Sequence, residues 1–233
     1  MTDNLSIWRI EGNQARTSDG RLWVDLRQRA LAWSNQLGSA QVLQLICGDC
    51  SATRREVFTR RNELVAIYDG IPADGASVEL RWVYETDGTP ETRSVDWLLS
   101  MQTDRLDLAV NCTCRSQWDR HTLWVRTESR GWFQWDGTIH EAGADQRTQA
   151  IAIQLLEDRW YLEAIWPTDY AGIYLGRMME YTVAAWRLAE EHLEKGVIRR
   201  MRMHACCLPG SFDPKVADQT YHRFLDTPVP LTA

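Results

Sequence analysis

Lysine is almost missing from this chain: of 26 basic residues only Lys195 and Lys215 are lysine, and the other 24 are arginine. GC-rich codon usage produces such a bias, but so does selection for a rigid five-donor fork that matches carboxylate and phosphate oxygens and stacks on aromatic rings. Positive charge is not in excess. The formal charge is −6 at pH 7, which argues against a domain that captures nucleic acid alone, because such domains carry a basic footprint. Long apolar runs are lacking too, and no window approaches the roughly 20 residues that span a bilayer. Residues 1–4 are polar and lead into no basic segment with an apolar core behind it, so no secretory leader is readable and the cytoplasm is the expected compartment. No tract rich in Pro, Gly and Ser is long enough to be a linker, and no repeat is visible. The 233 residues therefore suit one domain over 1–208, with an irregular C-terminal tail over 209–233 packed on it or extending from it.

Tryptophan, by contrast, is abundant, with twelve residues. Some suit the core, Trp82 and Trp97 for example. Filling a core with all twelve is difficult because each indole N–H seeks an acceptor, and Trp, Tyr and Arg concentrate at protein interfaces.

Hydrophobic periodicity predicts an α+β fold, an antiparallel sheet of several short strands with three helices packed against it. Val78, Leu80, Trp82 and Tyr84 alternate with polar residues, and Val95, Trp97 and Leu99 return after Asp87-Gly88, a hairpin signal. Further strands are expected over 5–10, 42–46, 56–60, 63–68, 105–112, 121–127, 131–135, 160–166 and 197–204. Helices are expected over 26–37, capped by Asp25 and stopped by Gly38, over 145–157, and over 174–195, where Leu175, Met178, Val183, Trp186 and Leu193 recur at helical spacing.

No coherent catalytic motif emerges. Cys47-x-x-Cys50 with Cys112-x-Cys114 offers four thiolates, but the second spacing is atypical of zinc, and no helix start follows Cys50 to activate a redox pair. His204 with Cys206 and Cys207 does not specify a nucleophile, a base and an orienting group. Asp136, His140, Glu141 and Asp145 could transfer protons, yet they also suit a solvated turn. Gly172-x-x-x-Gly176 lacks the lysine and hydroxyl of a phosphate loop. No metal and no cofactor is implied.

Glu79-Leu80-Arg81-Trp82, leading to a second strand over 93–99, resembles a small accessory protein family encoded with type III-D CRISPR effector modules, and Trp135-Asp136-Gly137-Thr138-Ile139 is similar to its aromatic-glycine turns. The resemblance implies a non-catalytic subunit of an antiviral ribonucleoprotein complex, packed on backbone proteins that hold guide RNA. The residues expected to contact protein or RNA are Arg81, Trp82, Arg115, Trp118, Arg126, Arg130, Trp132, Arg199, Arg200 and Arg202. The alternative is a small intracellular enzyme acting on RNA or phosphate esters, recognisable by a concave pocket that gathers mutually reachable groups.

Overall fold

Alternation of apolar and polar residues, which forces an extended backbone when one face must be buried, governs nearly the whole chain. The computed structural model describes residues 6–33, 40–47, 52–71, 75–86, 92–119, 121–142, 147–156, 158–189 and 192–228. In chain order the strands are β1 (Trp8–Glu11), β2 (Gln14–Thr17), β3 (Leu22–Asp25), β4 (Ala30–Trp33), β5 (Gln41–Cys47), β6 (Thr53–Arg60) and β7 (Glu63–Ile71). Then come β8 (Ala76–Glu85), β9 (Arg93–Thr103), β10 (Asp107–Ala109), β11 (Cys112–Asp119), β12 (Leu123–Thr127), β13 (Gly131–Gln134) and β14 (His140–Ala142). Last are β15 (Thr148–Leu156), β16 (Arg159–Ile165), β17 (Gly172–Met178), β18 (Tyr181–Ala189), β19 (His192–Glu194), β20 (Ile198–Pro209) and one helix, α1 (Pro214–Asp226).

The strands form two nine-stranded antiparallel sheets. The first runs β1-β2-β3-β4-β5-β11-β18-β17-β14 and the second β13-β12-β15-β16-β20-β9-β8-β7-β6, while β10 and β19 make a separate ribbon. The sheets stack as a sandwich. Trp33 and Trp118 of the first sheet each lie 5.6 Å, centroid to centroid, from Tyr161 of the second. The strand pair expected around Trp82 and Trp97 is present, and those two residues are direct partners on β8 and β9.

The expected α+β class is overturned, because α1 is the only helix among the described residues. The segment 26–37 enters β4 after a turn at Arg29, and residues 34–37 of that expected helix lie outside the described residues. Residues 148–156 are β15, where Ile151 and Ile153 face the sandwich core while Ala150 and Ala152 face a second apolar layer. A strand apolar on both faces loses its two-residue period and passes for a helix. The described residues of 174–195 fall on β17, β18 and β19 and the turns beside them, with Met179 taking a φ of 49° in the turn between the first two. Methionine is not a turn residue, so nothing in the local sequence marks the reversal.

The expected irregular tail contains α1. Asp213 caps it by accepting a hydrogen bond from the Lys215 amide at 2.8 Å, and Pro214 stands in the first turn, where its missing N–H costs nothing. Ala217, Tyr221 and Phe224 recur on one face and bury against Trp160, Leu162 and Ala164 on the outer side of the second sheet. No helix among the described residues is long and apolar enough to cross a membrane.

Candidate active site

Where β9 and β20 pair, His204 lies directly opposite Asp96, and on the next rung of the sheet Glu85 of β8 lies opposite Ser94 of β9. Because side chains two residues apart share a face, Arg202, His204 and Cys206 emerge together on the outer side of β20. Asp96 accepts from both neighbours: Arg202 Nη2 donates to Oδ2 at 2.6 Å, and His204 Nδ1 lies 2.7 Å from Oδ1. Phe224 of α1 stacks on the imidazole with ring centroids 5.4 Å apart. With Nδ1 held by a carboxylate and one ring face covered, the edge bearing Nε2 is what the histidine has left for chemistry.

That histidine lines a cavity of about 460 Å³ between the sheet and α1, together with Glu85, Asp96, Ser94, Thr220 and Arg223. Burial pushes the Asp96 carboxyl up, but the hydrogen bond and charge of His204 and then Arg202 outweigh it and hold it below its ordinary range. Glu85 moves the other way. Partial burial raises its carboxyl and the Asp96 charge adds to the rise, against opposition from His204 and Arg202. The two neighbouring carboxyls are thus shifted in opposite directions, Asp96 toward the ionised form and Glu85 toward the protonated one. A larger hollow of about 620 Å³ at the other end of β8 and β9 is lined by Asp69, Asp104 and Lys195 but gathers no histidine.

A second polar cluster lies inside the sandwich. Glu163 accepts from Ser116 Oγ at 2.5 Å, Tyr161 Oη at 2.7 Å and the Trp186 indole. Burial raises its carboxyl against those three donors. Glu163 and Ser116 are fully buried, and neither lines the cavity beside His204.

The residues expected at an interface are scattered. Trp82 and Trp118 are core side chains. Arg126 Nε and the Trp132 indole both donate to Asp218 of α1, at 2.7 and 3.0 Å, so they dock the helix. Arg130 stacks over Phe133 at 4.2 Å. Arg81 pairs with Glu79 at 2.6 Å and, with Arg200, borders a smaller hollow on the outer face of the second sheet. Arg199 Nη2 donates to the Thr168 carbonyl. Arg115 is bound to Gln117 on the other sheet, and Arg202 belongs to the pocket. All twelve tryptophans are buried or half-buried. The indole N–H groups of Trp33, Trp82, Trp97, Trp118 and Trp135 meet no acceptor among the described residues, so bulk packing was favoured over hydrogen bonding in this core.

The other sequence candidates fare as follows. Cys47, Cys112 and Cys114 are buried in the core, and Cys50 lies outside the described residues. Cys206 and Cys207 point to opposite faces, the first to the cavity and the second to the core, where burial drives its thiol far above the ordinary range. Asp136 is exposed and accepts from the amide and hydroxyl of Thr138. Glu141 is exposed, while Asp145 and the His140 side chain lie outside the described residues. Gly172 and Gly176 lie on β17, in no loop. Sequence reasoning grouped His204 with its cysteines and missed Asp96 and Glu85. The residues pair across 108 positions, and the only local signal was the shared face of Arg202 and His204.

These features define an antiparallel β-sandwich with a cavity lined by Glu85, Asp96 and His204 on the outer face of one sheet. No family model matches the sequence, and no curated protein matches it. Among solved structures, the α-N-acetylgalactosaminidase NagBb of Bifidobacterium bifidum in complex with Gal-NHAc-DNJ aligns over 94% of this chain at 14% identity and a TM-score of 0.58. Its ligand-free form aligns over the same share at 12% identity and a TM-score of 0.54. The chain spans 38% of the length of NagBb. Fainter likenesses, to a candidate aldose 1-epimerase of Escherichia coli K12 and a candidate kojibiose phosphorylase from the human microbiome, have TM-scores of 0.48 and 0.43 and are too distant to bear on this chain.

The shared fold overturns the resemblance to a type III-D CRISPR accessory family. The expectations built on that resemblance, a non-catalytic subunit, an antiviral ribonucleoprotein and RNA binding, are corrected with it: the fold is one housed in a sugar-processing enzyme. The small-enzyme alternative called for a concave pocket of mutually reachable groups, and this cavity brings Asp96 within hydrogen-bond distance of His204 with Glu85 on the same lining.

Proposed function

We propose that this chain is an enzyme that moves protons on a carbohydrate bound in the cavity between α1 and the second sheet, with His204 and Glu85 as the working pair. The carrying observation is the Asp96-oriented imidazole at the wall of a cavity of about 460 Å³. Carbohydrate as the ligand class is supported by the fold shared with NagBb.

The reaction class follows from what Asp96 can no longer do. Hydrolysis of a glycoside generally needs two carboxyls free to act on the two sides of the bond, and both oxygens of Asp96 are occupied by Arg202 and His204. A proton shuttle needs less. His204 Nε2 takes the proton from the anomeric hydroxyl, the electron pair forms the carbonyl as the bond from the anomeric carbon to the ring oxygen breaks, and protonated Glu85 gives its proton to that oxygen. Reclosure on the other face of the carbonyl returns both protons and exchanges the anomers. Each such positioned group contributes typically 10²–10⁴-fold. Cys112, Cys114 and Cys207 are buried thiols, which supports keeping the cytoplasm as the setting, where thiols stay reduced.

The test is magnetisation exchange between the anomers of a panel of aldoses, followed by NMR. Saturable acceleration by the wild-type chain is expected, falling by about 10²-fold or more in His204→Ala and in Glu85→Gln. A rate equal to the uncatalysed one for every sugar, from well-folded protein, contradicts the reading.

A further inference from the structure

We propose that Arg202 is the positioning residue of this pocket: one end of its guanidinium fixes Asp96 against His204, and the other end fastens α1 over the cavity. The proposal rests on the acid/base reading above. Arg202 is buried, where a donor without an acceptor is costly; Nε meets no acceptor among the described residues, and the two terminal nitrogens carry the side chain's hydrogen bonds. Nη2 donates to Asp96 Oδ2 at 2.6 Å and Nη1 to the Thr227 carbonyl, at the C-cap of α1, at 2.7 Å. The backbone N–H of the same residue donates to Asp169 Oδ2 at 2.9 Å. The guanidinium carbon lies 4.7 Å from the centre of the Phe224 ring and 5.8 Å from that of Trp166.

Phe224 therefore touches two members of the site, with Arg202 near its ring centre and His204 stacked upon it. An arginine can do this where a lysine cannot, because its fork presents two separated donors in one plane. The cation also offsets the Asp96 charge, so the imidazole meets an oriented acceptor while the net local charge stays small. Asp96 is faced by Arg202 and His204 of β20, Glu85 of β8 and, across the cavity, Arg223 of α1. Removing Arg202 leaves His204 as the one hydrogen-bond donor on this carboxylate among the described residues.

Carbon-13 NMR of the Asp96 side-chain carboxyl in the full chain tests this without any substrate. In Arg202→Gln the carboxyl is expected to titrate at higher pH than in the wild type. In Arg202→Lys, which keeps the charge and loses the fork, it should stay close to the wild type while the α1 amides exchange faster. If a sugar is turned over, Arg202→Gln should lower kcat by about tenfold or more, since small misplacements near the chemistry carry such costs, with the acid limb of the profile moved up and KM little changed. A role confined to holding the fold would lower the melting temperature and leave the Asp96 titration in place; that result overturns the proposal. Should Arg202→Gln not fold, Arg202→Lys decides: an Asp96 carboxyl moved well up, or α1 amides as protected as before, contradicts it. Absence of turnover on every sugar would remove the functional reading and leave this carbon-13 comparison intact.

Discussion

Glu163 shows how a single buried side chain can set both stability and its pH dependence. It receives three donors, and one of them, Ser116 Oγ, also accepts the Leu43 N–H at 2.9 Å. Leu43 sits at a φ of 50°, a left-handed conformation that costs a bulky residue roughly 1–2 kcal/mol. The chain from Leu43 through Ser116 to Glu163 ties β5 and β11 of one sheet to β16 of the other. Ser116→Ala leaves the Leu43 N–H without its acceptor in the core, while Glu163 Oε2 keeps the Tyr161 hydroxyl, so it should destabilise by about 1–3 kcal/mol in urea unfolding.

The raised Glu163 carboxyl has a definite sign in linkage. Between its ordinary value of 4.5 and its higher folded value, the native state holds a proton that the unfolded chain has released. Stability therefore falls as pH rises through that window. Asp96 acts oppositely: its depressed carboxyl contributes stability that is present above 3.8 and lost as pH falls through the folded value. Glu163→Gln keeps the hydrogen-bonding shape and removes one titration, so the fall in melting temperature above pH 4.5 should flatten while the acid-side loss remains. An unchanged profile would mean that Glu163 does not titrate differently in the two states.

At the scale of elements, α1 matters most, because it roofs the pocket and carries the ring that stacks on His204. Two kinds of contact hold it, and their magnitudes differ. The Asp218 carboxylate bonded to Arg126 and Trp132 is 44% exposed on its side chain, and partly exposed pairs contribute about 1 kcal/mol or less. Phe224 is almost fully buried, and removing such a ring costs about 3–5 kcal/mol. Phe224→Ala should therefore destabilise several times more than Asp218→Ala in chemical denaturation, and it alone should alter the ring resonances of His204.

The helix was partly legible in the sequence. Asp213-Pro214 is a helix start, yet four prolines after residue 208 give the segment an irregular look, although the position of Pro214 makes it an initiator. The strands β15 and β18 were hidden for a different reason. Each has apolar residues on both faces or beside a turn without glycine, so the helical period fits the letters as well as the strand period does. The β8–β9 pair was readable because Glu79 and Arg81 keep one face polar. The pocket was legible only in fragments: His204 and Arg202 were noticed, each in a separate cluster, and their common partner Asp96 belongs to a strand that no local rule joins to β20.

For the whole molecule, the order in which the chain visits the two sheets explains why function was harder to read than fold. The chain builds β1–β5 in the first sheet and β6–β9 in the second, then changes sheets repeatedly until β20 inserts between β16 and β9. The contact between His204 and Asp96 is created by that last insertion, and the C-terminal helix lies against it. The arginines singled out in the sequence are spread over both sheets: Arg126 docks the helix, Arg81 pairs with Glu79, Arg115 bonds to Gln117, Arg130 stacks over Phe133, Arg199 reaches a backbone carbonyl and Arg202 holds Asp96. The central claim, that a sugar binds beside His204 under α1, is most directly tested by mapping amide and histidine-ring NMR shifts while monosaccharides are titrated into the full chain. Saturable perturbations centred on His204, Ser94, Glu85 and Thr220, lost in His204→Ala, are the predicted result. Perturbations gathered at another face, or none with any sugar at high concentration, would contradict it.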